Sequence, residues 1–383
     1  MIYFNSMKKG IVIALAILLF GTGVYFYQKF SPQGSSQQTF DIQEGIKTPQ
    51  ISPTEEGPDI QVVAENLQIP WEVAFLPNGE LLITERPGRV LKIGADKQVY
   101  EIQGVRHVGE GGLLGMALHP NFSSNRFVYL YLTSTSNGSI VNRVERYRFE
   151  NDSLTGREVI LEGIAGASNH DGGRIEFGPD GLLYITTGDA QQPSLAQDTN
   201  SLNGKILRVQ DDGSVPPANP FGNEVFSYGH RNVQGIAWDS AGRLWATEHG
   251  RSGVLSGLDE LNLIEPGKNY GWPEIQGDET QSGMTNPVIH SGASETWAPA
   301  GAEFVNESIF FAGLRGATLY QARLSETNVT SLIKHFTQEY GRLRAVRLGP
   351  DGYLYISTSN RDGRGSTNEG DDKIIRVNPR IFE

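Results

Sequence analysis

The segment Asn169-His-Asp-Gly-Gly-Arg174 sets one imidazole between an amide and a carboxylate and follows it with two flexible glycines. A single histidine positioned this way can act as a general base. Ser227-Tyr-Gly-His-Arg-Asn-Val-Gln-Gly235 brings His230, Arg231 and Asn232 together just before an apolar run, and Thr247-Glu-His-Gly-Arg251 is again polar where a run ends. Arg315 follows Phe310-Phe-Ala-Gly-Leu314, and Arg342 and Arg344 flank Leu343. On a strand, positions i and i+2 share a side, so the last two guanidiniums face the same way and repel unless an anion lies between them. Arg231, Arg315, Arg342 and Arg344 in an acidic chain imply a polyanionic ligand, because guanidinium forks bind carboxylates and phosphates in pairs.

Two further stretches are less specific. Glu110 is the only charge in His107-Val-Gly-Glu-Gly-Gly-Leu113, a loop whose glycines let a ligand or another chain segment come close. It reads either as a solvated loop carboxylate or as a member of the site. Asp259, Glu260 and Asn262 lie in an oxygen-rich run ending at Pro273 that suits a hard cation such as Ca²⁺, although the alternating acidic spacing of an EF-hand is missing. His119, between an apolar run and Pro120, reads as structural.

Other chemistries are not indicated. The chain has no cysteine, hence no thiolate nucleophile, thiolate metal site or disulfide framework. It lacks a Gly-x-Ser-x-Gly elbow and the glycine patterns of phosphate-binding loops. A net charge of −12 argues against a nucleic-acid surface.

The elements that must position these residues repeat. Ile175-Glu-Phe-Gly-Pro-Asp-Gly-Leu-Leu-Tyr-Ile-Thr-Thr187 is a strand, a Pro-Asp-Gly turn and a second strand. Phe75-Leu-Pro-Asn-Gly79, Trp238-Asp-Ser-Ala-Gly242 and Leu348-Gly-Pro-Asp-Gly352 open further copies, and looser copies begin at Pro120 and Asn306. The copies are spaced by roughly 40–65 residues, the length of a propeller blade, and most are followed by another β-like run such as Gly204-Lys-Ile-Leu-Arg-Val209. Six copies predict an all-β, six-bladed propeller of four-stranded antiparallel blades over residues 59–383. The 46 glycines and scarcity of helix signals agree. Ile60-Gln-Val-Val-Ala64 is expected to pair with C-terminal residues and close the ring. Strand ends on one face of such a ring converge on its axis.

Ahead of this domain, Lys8-Lys9 precede Gly10–Tyr27, an uncharged run at the lower length limit for a membrane span. No Ala-x-Ala cleavage signal follows, so residues 1–30 read as a signal-anchor, with a cleaved signal as the alternative and the remainder exported. Residues 31–58, rich in Ser, Gln, Pro, Glu and Gly, read as a disordered linker.

Asn169-His-Asp-Gly-Gly-Arg174, Phe177-Gly-Pro-Asp-Gly181, Gly188-Asp189, Gly229-His-Arg-Asn-Val-Gln-Gly235, Glu248-His-Gly250, Asp259-Glu-Leu-Asn-Leu-Ile264, Gly267-Lys-Asn-Tyr-Gly-Trp-Pro273 and Gly341-Arg-Leu-Arg344 resemble the soluble glucose/sorbosone dehydrogenase family. Its members are six-bladed propellers that use pyrroloquinoline quinone (PQQ). The likeness runs in order over about residues 60–380 and is closest to the compact aldose sugar dehydrogenases, since the chain lacks room for the long insertions of the larger glucose dehydrogenases.

The resemblance implies roles. His170 is the base that takes the proton from the sugar C1 hydroxyl as hydride passes to PQQ. Arg231 sits by the quinone oxygens with Asn232 beside it. Arg315, Arg342 and Arg344 bind the cofactor's carboxylates or flank its ring, Arg315 at a position where the family often has Lys. Glu110 falls where the family has Gln or Glu near cofactor and substrate, and His249 where the glucose dehydrogenases have Gln. The carbonyls of Gly250 and Arg251 help hold a Ca²⁺ that also binds PQQ, and Glu260 and the Tyr270 carbonyl resemble ligands of a second Ca²⁺. Asn169 replaces an Asp, and an amide cannot raise the basicity of its neighbour by charge. The substrates implied are aldose sugars, with electrons passing to an external acceptor. A Ca²⁺-dependent lactonase on the same fold, which leaves the arginines unexplained, and a non-catalytic sugar-binding propeller are the alternatives.

Overall fold

A computed structural model of the chain describes residues 58–253 and 256–383. The anchor expected at 1–30 and nearly all of the linker expected at 31–58 lie outside the described residues. Among the described residues no helix is long and apolar enough to cross a membrane.

The described residues form six four-stranded antiparallel sheets. The first comprises β2 (Pro70–Phe75), β3 (Leu81–Glu85), β4 (Arg89–Ile93) and β5 (Lys97–Glu101). The second comprises β6 (Leu113–Leu118), β7 (Phe127–Ser136), β8 (Ser139–Glu150) and β9 (Ser153–Ala165). The third is β10 (Ile175–Phe177), β11 (Leu183–Thr186), β12 (Lys205–Val209) and β13 (Val225–Tyr228). The fourth is β14 (Val233–Trp238), β15 (Leu244–Glu248), β16 (Glu260–Ile264) and β17 (Ile289–His290), the last reduced to two residues after a long irregular segment. The fifth is β18 (Pro299–Val305), β19 (Ser308–Gly313), β20 (Thr318–Ser325) and β21 (Asn328–His335). The sixth takes β22 (Leu343–Leu348), β23 (Leu354–Thr358) and β24 (Ile374–Val377) from the C-terminus and β1 (Ile60–Ala64) from the start of the domain.

That last pairing closes the ring. Ile60 lies opposite Val377 and Val62 opposite Ile375, and the Asn378 N–H donates to the Asp59 carbonyl at 2.7 Å. Each predicted Pro-Asn/Asp-Gly hairpin joins the first and second strands of a blade, and both looser copies do the same. Alternation along these strands buries one apolar side chain from each against the next blade, as where Trp71, Leu114, Tyr129, Ile175 and Leu183 meet in one cluster. Each such side chain contributes about 1.5–3 kcal/mol on burial.

The axis is filled by charge. Glu72 of β2 accepts from Arg174, just ahead of β10, and from the Arg347 Nε of β22 at 3.0 Å. The Arg347 Nη1 donates to Glu176 of β10 at 2.6 Å. Three blades are thereby tied across the centre, and the cavity described next has a solid floor. His119 is structural, as expected: its ring packs on Phe177 and Tyr129, and its Nδ1 accepts the Asn121 N–H at 2.9 Å.

Candidate active site

The hairpin turns all lie on one face of the ring. The other face is made by the residues that precede each first strand and those that follow each second strand. Glu110, His170, Arg231 and Arg342 come from the former, and His249, Gly250, Arg251 and Arg315 from the latter. They line a cavity of about 460 Å³, together with Arg344 inside β22. Nine of the twelve residues expected at the site therefore meet. Asn232, Glu260 and Tyr270 lie behind the wall.

His170 is held from four directions. Its Nδ1 lies 2.7 Å from the Asp189 Oδ1 and its Nε2 lies 2.9 Å from the Arg231 Nη2. A guanidinium only donates, so Nε2 accepts and the proton sits on Nδ1, donated to Asp189. Its backbone N–H donates to the Glu110 Oε2 at 2.9 Å, and its carbonyl accepts the Ala190 N–H at 3.2 Å. The backbone is left-handed, with φ at 64°, an arrangement that persists in a non-glycine residue only when its surroundings enforce it. Gly188 is required beside it, because a Cβ there would collide with the His170 carbonyl.

Arg231 is anchored from behind. Glu248 accepts its backbone N–H and also the His230 Nδ1–H at 2.8 Å, while the His230 Nε2 accepts the Ser227 hydroxyl at 2.8 Å. This Ser–His–Glu chain has the connectivity of a hydrolytic triad, but Ser227 and His230 are completely buried, so it serves to position Arg231. Tyr270 stacks on His230 at 4.8 Å. The Arg231 guanidinium donates to Ser252 at 2.6 Å and lies 5.2 Å from the Trp272 ring, whose indole N–H donates to the second oxygen of Asp189 at 2.9 Å. Asn232 accepts the Gly172 N–H at 3.0 Å and so fixes the loop that carries His170.

The arginines find partners the sequence did not disclose. Arg342 donates to Asp362 at 2.7 and 3.0 Å, so part of the expected repulsion between Arg342 and Arg344 is relieved by an anion of the protein itself. Arg344 is buried and, among the described residues, donates only to the neutral Gln234 and Ser359; burial and the neighbouring Arg86 push it down to about 9. Arg315 is exposed and donates to Ser256. Burial lowers His249 to about 4, so at neutral pH it is an uncharged ring rather than a cation. Glu110 is the reverse case: burial opposes its charge, but His249, Arg364 and the His170 N–H hold it near 2.

Asp189, Arg86, Asp362, Arg364 and Trp272 complete the site and were not singled out as site residues. Asp189 and Trp272 lie in quoted motifs, and Arg86 follows β3 as His249 follows β15. Arg364 carries no local signal.

The wall fits a polyanion. Seven arginines face three carboxylates across the cavity, leaving it four charges positive in a chain of net charge −12. Among the described residues, the Arg86 Nε and Arg251 Nε are buried donors with no hydrogen-bond partner, a surplus that an acceptor-rich ligand satisfies, and the buried His249 Nε2 is likewise without a partner. A cation fits beside it by the chemistry of its oxygens. The Gly250 N–H is tied to Asp259 at 2.9 Å, holding the Gly250–Arg251 peptide at the wall. Behind the wall Glu248 and Glu260 face each other across β15 and β16, and the buried Asn262 Oδ1 lacks a partner. Among the described residues no three His, Cys, Asp or Glu side chains are arranged to hold a metal ion, so a cation there would need carbonyl and amide oxygens as well.

Comparison with known proteins agrees with this geometry. Residues 67–375 match the family model described as Glucose / Sorbosone dehydrogenase. The chain is 33% identical over 363 residues to the aldose sugar dehydrogenase YliI of Escherichia coli strain K12, covering 84% of this chain and 93% of that one. It is 33% identical over 277 residues to quinoprotein glucose dehydrogenase B of Acinetobacter calcoaceticus, covering 62% and 57%. The PQQ-bound aldose sugar dehydrogenase of Streptomyces coelicolor superposes with a TM-score of 0.77 at 41% identity, covering 85% of this chain and 99% of that one. The chain belongs to the glucose/sorbosone dehydrogenase family.

Proposed function

We propose that this protein oxidises aldose sugars at C1 to the lactone with PQQ as cofactor and Ca²⁺ as its companion ion. The observation that carries the reading is His170, fixed as the Nδ1–H tautomer by Asp189 with its Nε2 lone pair at an arginine-lined cavity. PQQ, when bound, supplies the quinone that accepts the hydride.

The protein's own residues do the rest. His170 takes the C1 hydroxyl proton on Nε2, and Asp189 stabilises the imidazolium that results. The lone pair that receives this proton is the one Arg231 contacts, so the sugar hydroxyl displaces that contact while Arg231 keeps its bond to Ser252. Arg342, Arg344 and Arg315 would answer the three carboxylates of PQQ, and Arg231, backed by the buried Asn232, would face the quinone oxygens. Glu110 and His249 line the same cavity and would stand near both cofactor and sugar. The Gly250 and Arg251 carbonyls would hold a Ca²⁺ beside the cofactor, and Glu260 and the Tyr270 carbonyl would hold a structural one. The order of Lys8-Lys9 and the apolar run after them supports export and tethering to a membrane, with electrons passed to an external acceptor.

The test is dye reduction by the purified protein with glucose and other aldoses. Turnover that requires both PQQ and Ca²⁺, and that disappears in His170→Ala while PQQ titrates normally, supports the reading. No reduction and no spectral change of PQQ on mixing overturns it.

A further inference from the structure

Three blades contribute to one chain of contacts over the cavity mouth. Arg364 lies in the glycine-rich segment between β23 and β24. Its backbone N–H donates to the Asp362 Oδ1 at 2.9 Å, and the other oxygen of Asp362 holds Arg342. From this root the side chain crosses to the opposite rim. Its Nη1 donates to the Glu110 Oε1 at 2.6 Å and its Nη2 to the Asn169 Oδ1 at 2.7 Å. The second oxygen of Glu110 accepts the His170 N–H.

We propose that Arg364 is a positioning residue for His170, acting through Glu110: it fixes the carboxylate that brackets the left-handed backbone of the base and so aims Nε2 into the cavity. The inference rests on the reading of His170 as the base. Both oxygens of Glu110 are engaged, one by each partner, so the carboxylate cannot turn away without breaking the ion pair. Glu110 is ionised across the working pH range, which keeps the pair intact. The guanidinium is about half exposed, and such a pair adds little to global stability, so its effect falls on geometry. A misplacement of the order of an ångström in a reacting group costs up to about 100-fold in rate.

The experiment combines exchange with kinetics. Hydrogen–deuterium exchange resolved to single amides is followed in the unliganded full chain, with the Gly172 N–H, which donates to Asn232 rather than Glu110, as internal control. Arg364→Ala is expected to speed exchange at the His170 amide about 10-fold or more and to leave Gly172 unchanged. In the PQQ-loaded enzyme the same substitution lowers kcat about 10-fold or more. KM for the sugar stays within about threefold, and Arg364→Lys restores part of the loss. Glu110→Ala combined with Arg364→Ala is expected to be no slower than Glu110→Ala alone, because both act through one contact.

A rise in KM at unchanged kcat makes Arg364 a substrate contact and overturns the proposal, as do additive losses in the double variant or unaltered exchange at His170. If the wild-type protein reduces no dye with PQQ and sugars, the base reading fails. The exchange result then still decides whether Arg364 holds the bracket.

Discussion

Asp189 accepts on both of its oxygens: its Oδ1 takes the Nδ1–H of His170 at 2.7 Å and the Gln191 N–H at 2.8 Å, and its Oδ2 takes the indole N–H of Trp272 at 2.9 Å. Neither oxygen can be replaced by an N–H without a clash of donors. Asp189→Asn must therefore turn its amide either toward Trp272 or toward His170, and the latter forces the imidazole into the Nε2–H tautomer that cannot accept a proton. The expected loss in kcat is about 10²–10⁴-fold, by analogy with the same change in a serine-protease triad, with PQQ affinity little altered. Steady-state kinetics beside a PQQ titration checks it, and a variant with normal kcat removes Asp189 from the mechanism.

That pairing shows where the sequence was and was not readable. The hairpin turns, Pro-Asp-Gly or Pro-Asn-Gly in three of the six, are local signals, and their recurrence disclosed the blades and their number. All of these turns lie on the face away from the site. The site is built from the opposite strand ends, where residues near in space are far apart in sequence. His170 and Asp189 meet only because β10 and β11 run side by side. Arg364 meets Glu110 only because the ring closes. Arg342 and Arg344 were recognised as a pair of like charges, but the anion beside Arg342 is Asp362, supplied from the loop after β23. Motif spacing gathered the cavity wall; the hydrogen bonds that set tautomer and charge required the fold.

Asp171, next to the base, should make stability depend on pH. Its Oδ1 accepts from the Asn142 amide and the Ala167 N–H, and its buried Oδ2 has no partner among the described residues. Burial raises it to about 6, and the charge of Glu110 adds to the shift. The folded state thus keeps a proton that the unfolded chain releases near its ordinary value of 3.8. Stability falls as pH rises through this window, and the loss is complete above about 6. Asp171→Asn cannot ionise, so its stability relative to the parent should improve by about 2 kcal/mol between pH 4 and pH 7. Denaturant midpoints at both pH values check this, and a constant difference rules it out.

Chelation should act on the acidic pair behind the wall. Glu260 faces Glu248 across β15 and β16, and the Asn262 amide is the only side-chain donor seen on the Glu260 carboxylate among the described residues. A bound Ca²⁺ stabilises the folded state by mass action, about 2.7 kcal/mol at a free concentration one hundred times its Kd. EGTA is expected to lower the thermal midpoint of the PQQ-free protein by several degrees, and Glu260→Gln to abolish most of that sensitivity. A melting curve indifferent to both chelator and substitution argues against the ion at this position.

Arg344 separates the needs of the cofactor from those of the fold. It is 4% exposed, its hydrogen-bond partners Gln234 and Ser359 are neutral, and burial followed by the Arg86 charge depresses its pKa to about 9. A buried guanidinium without a directly paired anion costs stability, and a ligand carboxylate is the partner that offsets the cost. Arg344→Met keeps the length of the side chain and removes the charge. The PQQ-free variant is expected to melt at the parent temperature or a few degrees above it, while PQQ binds at least about 10-fold more weakly, the usual loss for a charged hydrogen bond. Differential scanning calorimetry of the apoprotein and a PQQ titration measure the two quantities separately. A variant that melts lower and binds PQQ normally would place Arg344 in the scaffold instead of the cofactor site.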